Sequence, residues 1–392
     1  MRYHSRRWPR PIVAALLAVA GAAAVPAAAA AHSSPDGAGH WNSRGYVYLN
    51  DNTAPSNTVA AFVRHRDGSL TPVPGSPFAA GGAGLGAGLA SQGAIQVSSD
   101  GRYVLAVDAG SNQISVLRIE RGGALERVPG GVVSSGGVQP VSLAEHDGLV
   151  YVANAGAADS NYTGFTLSWD GRLRPVPGST VALAPTAQPG DVLFNSTGTR
   201  LVGTLVATSQ IDSFRVGFNG RLIAAPGSPF PAQGLGPFGS EFRPTNPNQL
   251  FVSNAHNVGA GTGTVSAFYA AADGALSSIG SSPFADDQTA PCWVEISHDG
   301  DFLFTVNTGS GSISSYSIAW NGALTLLGST SVSGQAGVGA VDARLSPDGR
   351  TLYVDETAAG AVGVFAVNGG QLTAEGSVEL PAGATAAGLA VS

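Results

Sequence analysis

Asp191, Glu241, Glu295 and the pair Asp342 and Arg344 recur along the chain at intervals near fifty residues. Each lies in a short, mostly apolar segment: "PGDVLFNSTG" (189–198), "PFGSEFRPT" (237–245), "PCWVEISHDG" (291–300) or "AVDARLSPDG" (340–349). A further segment, "GAIQVSSDG" (93–101), carries Gln96 at the corresponding place, and "PVSLAEHDG" (140–148) has the same outline. In an extended strand, alternate side chains point to opposite faces. One face holds Val97, Phe194, Phe242, Ile296 and Leu345, which are expected to pack between neighbouring units. The other holds Gln96, Glu241, Glu295 and Arg344, with Asp191 and Asp342 two residues before their strand equivalents. If these strands surround one axis, the polar set converges there. Two carboxylates beside an arginine can bind a polar ligand or act as an acid–base pair. The same residues could instead form a water-filled channel that only satisfies its own charges.

Other chemistry has weaker support in the sequence. His65, His146, His256 and His298 lack metal-ligand spacing and are expected at exposed turns, so no metal is assigned. "GGAGLGAGL" (81–89) has no strand-helix context for a phosphate cradle and is expected to be a flexible connection between units. No cofactor is expected. Asn50, Asp108, Asn154, Asn254, Asn307 and Asp355 recur at strand ends, where capping of turns explains them. "NYT" (161–163) and "NST" (195–197) match the glycosylation sequon, a motif common by chance. The lone Cys292 permits no internal disulfide and is expected to be a small buried hydrophobe.

The elements that must position the polar set are repeats. The phrase "VPGSPFAAGG" (73–82) returns as "APGSPFPAQG" (225–234), and more faintly as "VPGSTVALAP" (176–185) and "IGSSPFADDQ" (279–288). Anchoring on Gly75, Gly130, Gly178, Gly227, Gly280, Gly328 and Gly376 gives seven units of about fifty residues. Each unit has a turn, an apolar strand, a second strand such as "TVSAFYA", a tight Asp-Gly, Asn-Gly or Gly-Gly turn, and a last strand. Those turns suggest two-residue hairpins with positive φ. The "PGSPF" phrase is expected where the chain leaves one unit's outer strand for the next unit's inner strand. Four short antiparallel strands repeated seven times predict an all-β, seven-bladed β-propeller over 44–392. Tandem immunoglobulin-like domains would need about 100 residues each, twice the unit here. The first unit starts at its second strand, "GYVYLND" (45–51), and "ATAAGLAVS" (384–392) is left over at the end. The C-terminal piece is therefore expected to supply the missing inner strand and close the ring, hiding edges that would otherwise be exposed.

Residues 1–31 combine a basic start, the apolar run "IVAALLAVAGAAAV" and a small-residue end, as in a secretory signal peptide. Residues 32–43 read as a linker, and the mature protein is expected outside the cell. Arg6–Arg7 leaves twin-arginine and general export both open. Beyond the signal, 15 arginines face 26 acids, a net charge of −11 with no lysine at all. That balance argues against nucleic acid or an anionic membrane as partner. A small-molecule ligand or an extracellular protein is expected as partner, and the chain is expected to be a monomer.

The phrases "SPDGRTLYVDETAAGAVGVFAVNGGQLT" (346–373) and "SHDGDFLFTVNTGSGSISSYSIAWNGALTLL" (297–327) resemble the lactonase-family seven-bladed propellers, which include bacterial 6-phosphogluconolactonase. The resemblance runs through all seven units and is more specific for architecture than for reaction. In that family the inner strands often begin Pro-Arg-His. The matching stretches here place Phe238-Gly239 and Cys292-Trp293 at those positions. The resemblance implies a hydrolase opening a cyclic ester in the channel. Glu241 or Glu295 would be the base and Arg344 would hold the developing oxyanion. Gln96, Asp191, Asp342 and Trp293 would contact the ligand. A non-catalytic propeller that binds a ligand or protein outside the cell is the alternative.

Overall fold

A four-stranded antiparallel sheet of such short strands has two apolar faces and must cover both. The chain does this by stacking seven sheets face to face around an axis. The structure is a computed structural model and describes residues 43–156, 159–332 and 339–392. The expected signal peptide and nearly all of the expected linker lie outside the described residues.

Blade 6 shows the common plan. Its strands Pro291–Ile296, Phe302–Asn307, Ser312–Ile318 and Leu324–Ser331 pair in chain order, innermost to outermost. The inner strands of blades 2 to 5 are Ile95–Val97, Pro140–His146, Pro189–Phe194 and Pro237–Phe242, and that of blade 7 is Ala340–Leu345. Apolar side chains from adjacent blades meet in shared clusters. Tyr48 and Val59 of blade 1 pack with Ile95, Val104 and Leu117 of blade 2. Val47, Leu49 and Phe62 pack on the other side with Tyr353 and Val362 of blade 7. Phe194, Phe242, Ile296 and Leu345 are buried in this inter-blade layer, as their strand face requires, and Val97 is partly buried.

The ring closes through the chain ends. Leu389–Val391 pairs antiparallel with Ser43–Asn50, aligning Leu389 with Leu49 and Val391 with Val47. Bonds from Ser392 N to Tyr46 O (2.9 Å) and from Ala387 N to Asn50 O (3.0 Å) extend the joint. The last strand thus becomes the inner strand of blade 1.

Two local expectations need correction. The "PGSPF" phrase does not lead out of the blade. In blade 1 the outer strand Leu70–Pro72 stops, a turn closes from Ser76 N to Val73 O (2.9 Å), and Phe78–Ala79 pairs again with Thr58–Val59. The phrase is a kink within the outer strand. It leaves the N–H of Ala61 without a ladder partner, and Ser76 Oγ accepts it at 2.8 Å. Ser179, Ser228 and Ser282 do the same for Gly164, Ser213 and Ala267. An unpaired buried N–H is costly, which gives the serine of the phrase its role. Gly75, Gly178 and Gly227 adopt positive φ in this turn, while Gly280 stands one position earlier. In blades 2, 6 and 7 the outer strand runs on past Gly130, Gly328 and Gly376 with a bulge instead.

The outer hairpins also differ from expectation. In blade 1, His65 N bonds Ser69 O and Gly68 N bonds His65 O, a three-residue loop in which glycine alone takes positive φ. The aspartate instead accepts the Ser69 N–H with its side chain. Blades 2 to 6 repeat this loop, and only blade 7, where Asn368 pairs with Gln371, has the two-residue form.

Removing residues 384–392 is expected to abolish soluble folding, because the inner edge of Ser43–Asn50 loses its partner. The milder Leu389→Ala truncates a fully buried side chain and should cost roughly 2–5 kcal/mol. Soluble yield and denaturant melts check both; a deletion variant that melts like the intact chain would rule out this closure.

Candidate functional site in the central channel

An inner strand pairs on one edge only, so the main chain of its other edge faces the channel. Its buried N–H groups need partners that the sheet does not supply. Side chains from the preceding blade provide them. Ser142 Oγ accepts Val192 N (3.1 Å), and Asp191 accepts both Ser240 N (3.1 Å) and Ser240 Oγ (2.6 Å). Asp342 accepts Leu389 N at 2.9 Å, carrying the same tie across the ring closure. Two residues further along the strands, Gln96 accepts Glu145 N (2.9 Å) and Glu295 accepts Leu345 N (2.8 Å). The polar residues singled out in the sequence do converge on the axis. Most of them bind one blade to the next.

Blade 5 has Gly239 where Asp191, Trp293 and Asp342 stand in other blades, and glycine can make no tie. Gln92, arriving on the connection from blade 1, fills the gap from across the channel. Its side chain accepts Val294 N (3.0 Å) and donates to Ser240 O (2.9 Å), while its main-chain N–H bonds Gly190 O. Gly239 is required by this approach: a Cβ there would lie 2.1 Å from Gln92 Oε1. The glycine-rich stretch before Gln92 is therefore more than a flexible connection, since it delivers a plug to the axis. Nothing in the repeat pattern marks Gln92, because it lies before the inner strand and its partners are about 150 and 200 residues away.

The plug divides the channel into two layers. Beyond it lie Glu241, Glu295 and Arg344. Arg344 Nη1 is 3.2 Å from Asp342 Oδ1 and 3.4 Å from Glu295 Oε2. Burial opposes its charge, but the surrounding acids outweigh burial and hold it firmly protonated. Burial raises the proton affinity of every acid here, taking Asp191 up to about 7. Arg344 offsets this for Glu295 and Asp342, which stay raised but less so than burial alone would leave them. Glu241 differs from its neighbours. It is only partly buried, and its carboxylate makes no hydrogen bond among the described residues. Burial first, then repulsion from Glu295, Asp191 and Asp342, pushes its proton affinity well above the ordinary carboxylate range.

On the near side of the plug, Trp293 does not join the acids. It donates from Nε1 to Ser91 O at 2.9 Å and meets Phe238 edge to face, with ring centroids 5.1 Å apart. Cys292 is buried beside it, where burial pushes the thiol up to about 11, consistent with the inert role expected. The four histidines all keep some exposure, and no group of three metal-ligating side chains occurs among the described residues. The recurring strand-end residues do brace connections, as Asn307 does with Ser312 and Ser314. They do so from fully buried positions, however, and Asn50 reaches the Ala94 and Val107 carbonyls of the neighbouring blade.

Gly239→Ala should destabilise the protein by about 1–3 kcal/mol, because the plug must shift. Gln92→Ala should cost a similar amount by leaving the Val294 N–H buried and unpaired. Thermal melts of both check this, and the double variant should be less damaging than the two losses added together, since they act on one contact.

The lactonase seven-bladed β-propeller family model matches residues 35–216 and 243–386. Comparison with curated proteins returns no match. Among solved structures, the chain is similar to a candidate 6-phosphogluconolactonase of Bacteroides fragilis, with 19% identity and a TM-score of 0.71 over 91% of this chain and 100% of that one. It is also similar to the periplasmic gluconolactonase PpgL of Pseudomonas aeruginosa, with 18% identity and a TM-score of 0.70 over 88% of this chain and 98% of that one. A protein of Lactobacillus plantarum matches with 18% identity and a TM-score of 0.69 over 89% and 99%. These likenesses are of fold, whereas the family match spans most of the sequence: the chain belongs to the lactonase family of seven-bladed β-propellers.

Proposed function

We propose that the protein is an exported hydrolase of a cyclic ester, acting in the acid-rich layer of its channel. One observation carries this reading: among the described residues Glu241 is the channel acid left untied, it is partly exposed, and its proton affinity is raised well above the ordinary range within the field of Arg344. A carboxyl group raised well above its ordinary range holds a proton more readily than a free carboxylate and suits proton transfer in both directions. As carboxylate, Glu241 takes a proton from water as the oxygen attacks the lactone carbonyl carbon. The carbonyl electrons move to its oxygen, where the Arg344 cation offsets the developing charge. When the tetrahedral intermediate collapses, the ring C–O bond breaks and Glu241 returns the proton to the leaving alkoxide. The product is the open hydroxy acid. Glu295, which the sequence analysis weighed equally as base, is committed to Leu345 and Arg344 and serves here to position Arg344. Asp191 and Asp342 are held by strand ties, so their expected ligand contact gives way to positioning. Family membership and the export-type N-terminus support the reading.

A second reading, a non-catalytic binding propeller, draws on the use of Asp191, Glu295 and Asp342 as structural ties. A lactone panel separates the two. Wild-type hydrolysis above the buffer rate, reduced about 10²- to 10⁴-fold in Glu241→Gln, supports the enzyme. Turnover absent from wild type on every lactone removes it. Because the base must be deprotonated and Glu241 is raised, kcat/KM should keep climbing with pH above the ordinary carboxylate range, until background hydrolysis dominates. A profile already flat near pH 5 would exclude Glu241 as base.

A further inference from the structure

On the near side of Gln92 the channel mouth opens into a chamber of about 270 Å3. Among the described residues its walls include Leu89, Phe238, Cys292, Trp293, Val341 and Ala387, drawn from blades 5, 6 and 7 and from the two segments flanking the ring closure. No charged side chain is among its lining residues. The few polar groups there are already engaged within the wall. Ser91 Oγ donates to Val141 O (2.7 Å), Thr308 Oγ1 to Ala340 O (3.0 Å), Cys292 Sγ to Ala290 O (3.3 Å) and Trp293 Nε1 to Ser91 O (2.9 Å). The wall therefore has apolar surface to cover and no side-chain donor to spare. A charged guest would lose its hydration without replacement.

We infer that this chamber is a binding site for an uncharged, apolar small molecule of aromatic or compact alicyclic type, separate from the acid layer. An engineered cavity of about 150 Å3 accommodates benzene, so this volume suits a guest of roughly ten non-hydrogen atoms. Trp293 and Phe238, fixed edge to face, present a preformed aromatic wall. The plug keeps this guest from Glu241: along blade 5, the Gln92 contact at Ser240 falls between chamber residue Phe238 and Glu241. Along blade 6, the contact at Val294 falls between Trp293 and Glu295. A guest in the chamber therefore meets neither acid, and the site does not depend on the hydrolase reading.

Calorimetric titration of the full chain with isopropylbenzene and with benzoate, which are close in size and differ in charge, tests the inference. The expected result is one saturable isopropylbenzene site per chain, with benzoate at least about tenfold weaker. Ala387→Phe fills the chamber from the closing segment, and Leu89→Phe fills it from a connection outside the blades. Either, once its melt shows a folded propeller, should abolish isopropylbenzene binding. Absence of saturable isopropylbenzene binding overturns the inference. So does benzoate binding equally well, or retention of binding in a folded filled variant. If neither variant folds, the comparison of isopropylbenzene with benzoate decides alone. A protein that binds isopropylbenzene but hydrolyses no lactone keeps the chamber and loses the hydrolase; the reverse result does the opposite.

Discussion

The channel-facing edge of the seven inner strands is the constraint on which the rest of the molecule depends. Stacking blades satisfies the apolar faces, but no sheet partner reaches the inner edge. Each N–H left there must be bonded by something the neighbouring blade can extend. Ser142, Asp191, Asp342, Gln96 and Glu295 meet this need between consecutive blades. The polarity of the axis is therefore first a consequence of architecture, and any chemistry uses what the architecture leaves over.

What it leaves over is set largely by two of the exceptions to this pattern. At Gly239 the tie is missing, and Gln92 crosses the axis to replace it, which closes the channel partway along. At Glu241 the side chain has no tie to make and so keeps a free carboxylate close to Arg344. One exception builds a partition and the other leaves a reactive group beyond it. The apolar chamber follows from the same partition. With Phe238, Cys292 and Trp293 at the mouth, no charged side chain lines the chamber among the described residues, and the charged residues of the inner strands stand at the level of the plug or beyond it.

Burial of four acids around one arginine sounds unstable, yet their ties explain the balance. Asp191 accepts three hydrogen bonds from Ser142 and Ser240, so its shift toward neutral pH is smaller than burial alone would produce. Asp342 and Glu295 draw on both Arg344 and main-chain N–H groups. Glu241 has only the attraction of Arg344, without a hydrogen bond, and the repulsion of its neighbours. Burial apart, the same set of surroundings thus favours the charged form of three acids, which serve as structure, and disfavours it at the fourth.

Local sequence determined the unit, its number and its closure. The fifty-residue spacing, the glycine turns and the unmatched piece at the C-terminus are statements about neighbours along the chain, and each predicts a strand or turn within its own repeat. Alternation along the inner strands likewise placed Gln96, Glu241, Glu295 and Arg344 on the axis, because a period of two is a property of the strand itself. Which of those side chains are free depended on groups in other blades: Glu295 and Glu241 look equivalent in sequence, and only the contacts of the next blade separate them. The kinked outer strand, the serine that repairs it and the crossing of Gln92 were also settled by tertiary structure. The serine's partner lies 15 residues back in the same repeat, where only the folded strand shows which N–H lacks a ladder acceptor; the partners of Gln92 lie 148 and 202 residues away, in other repeats, and no pattern within a single repeat records such a distance.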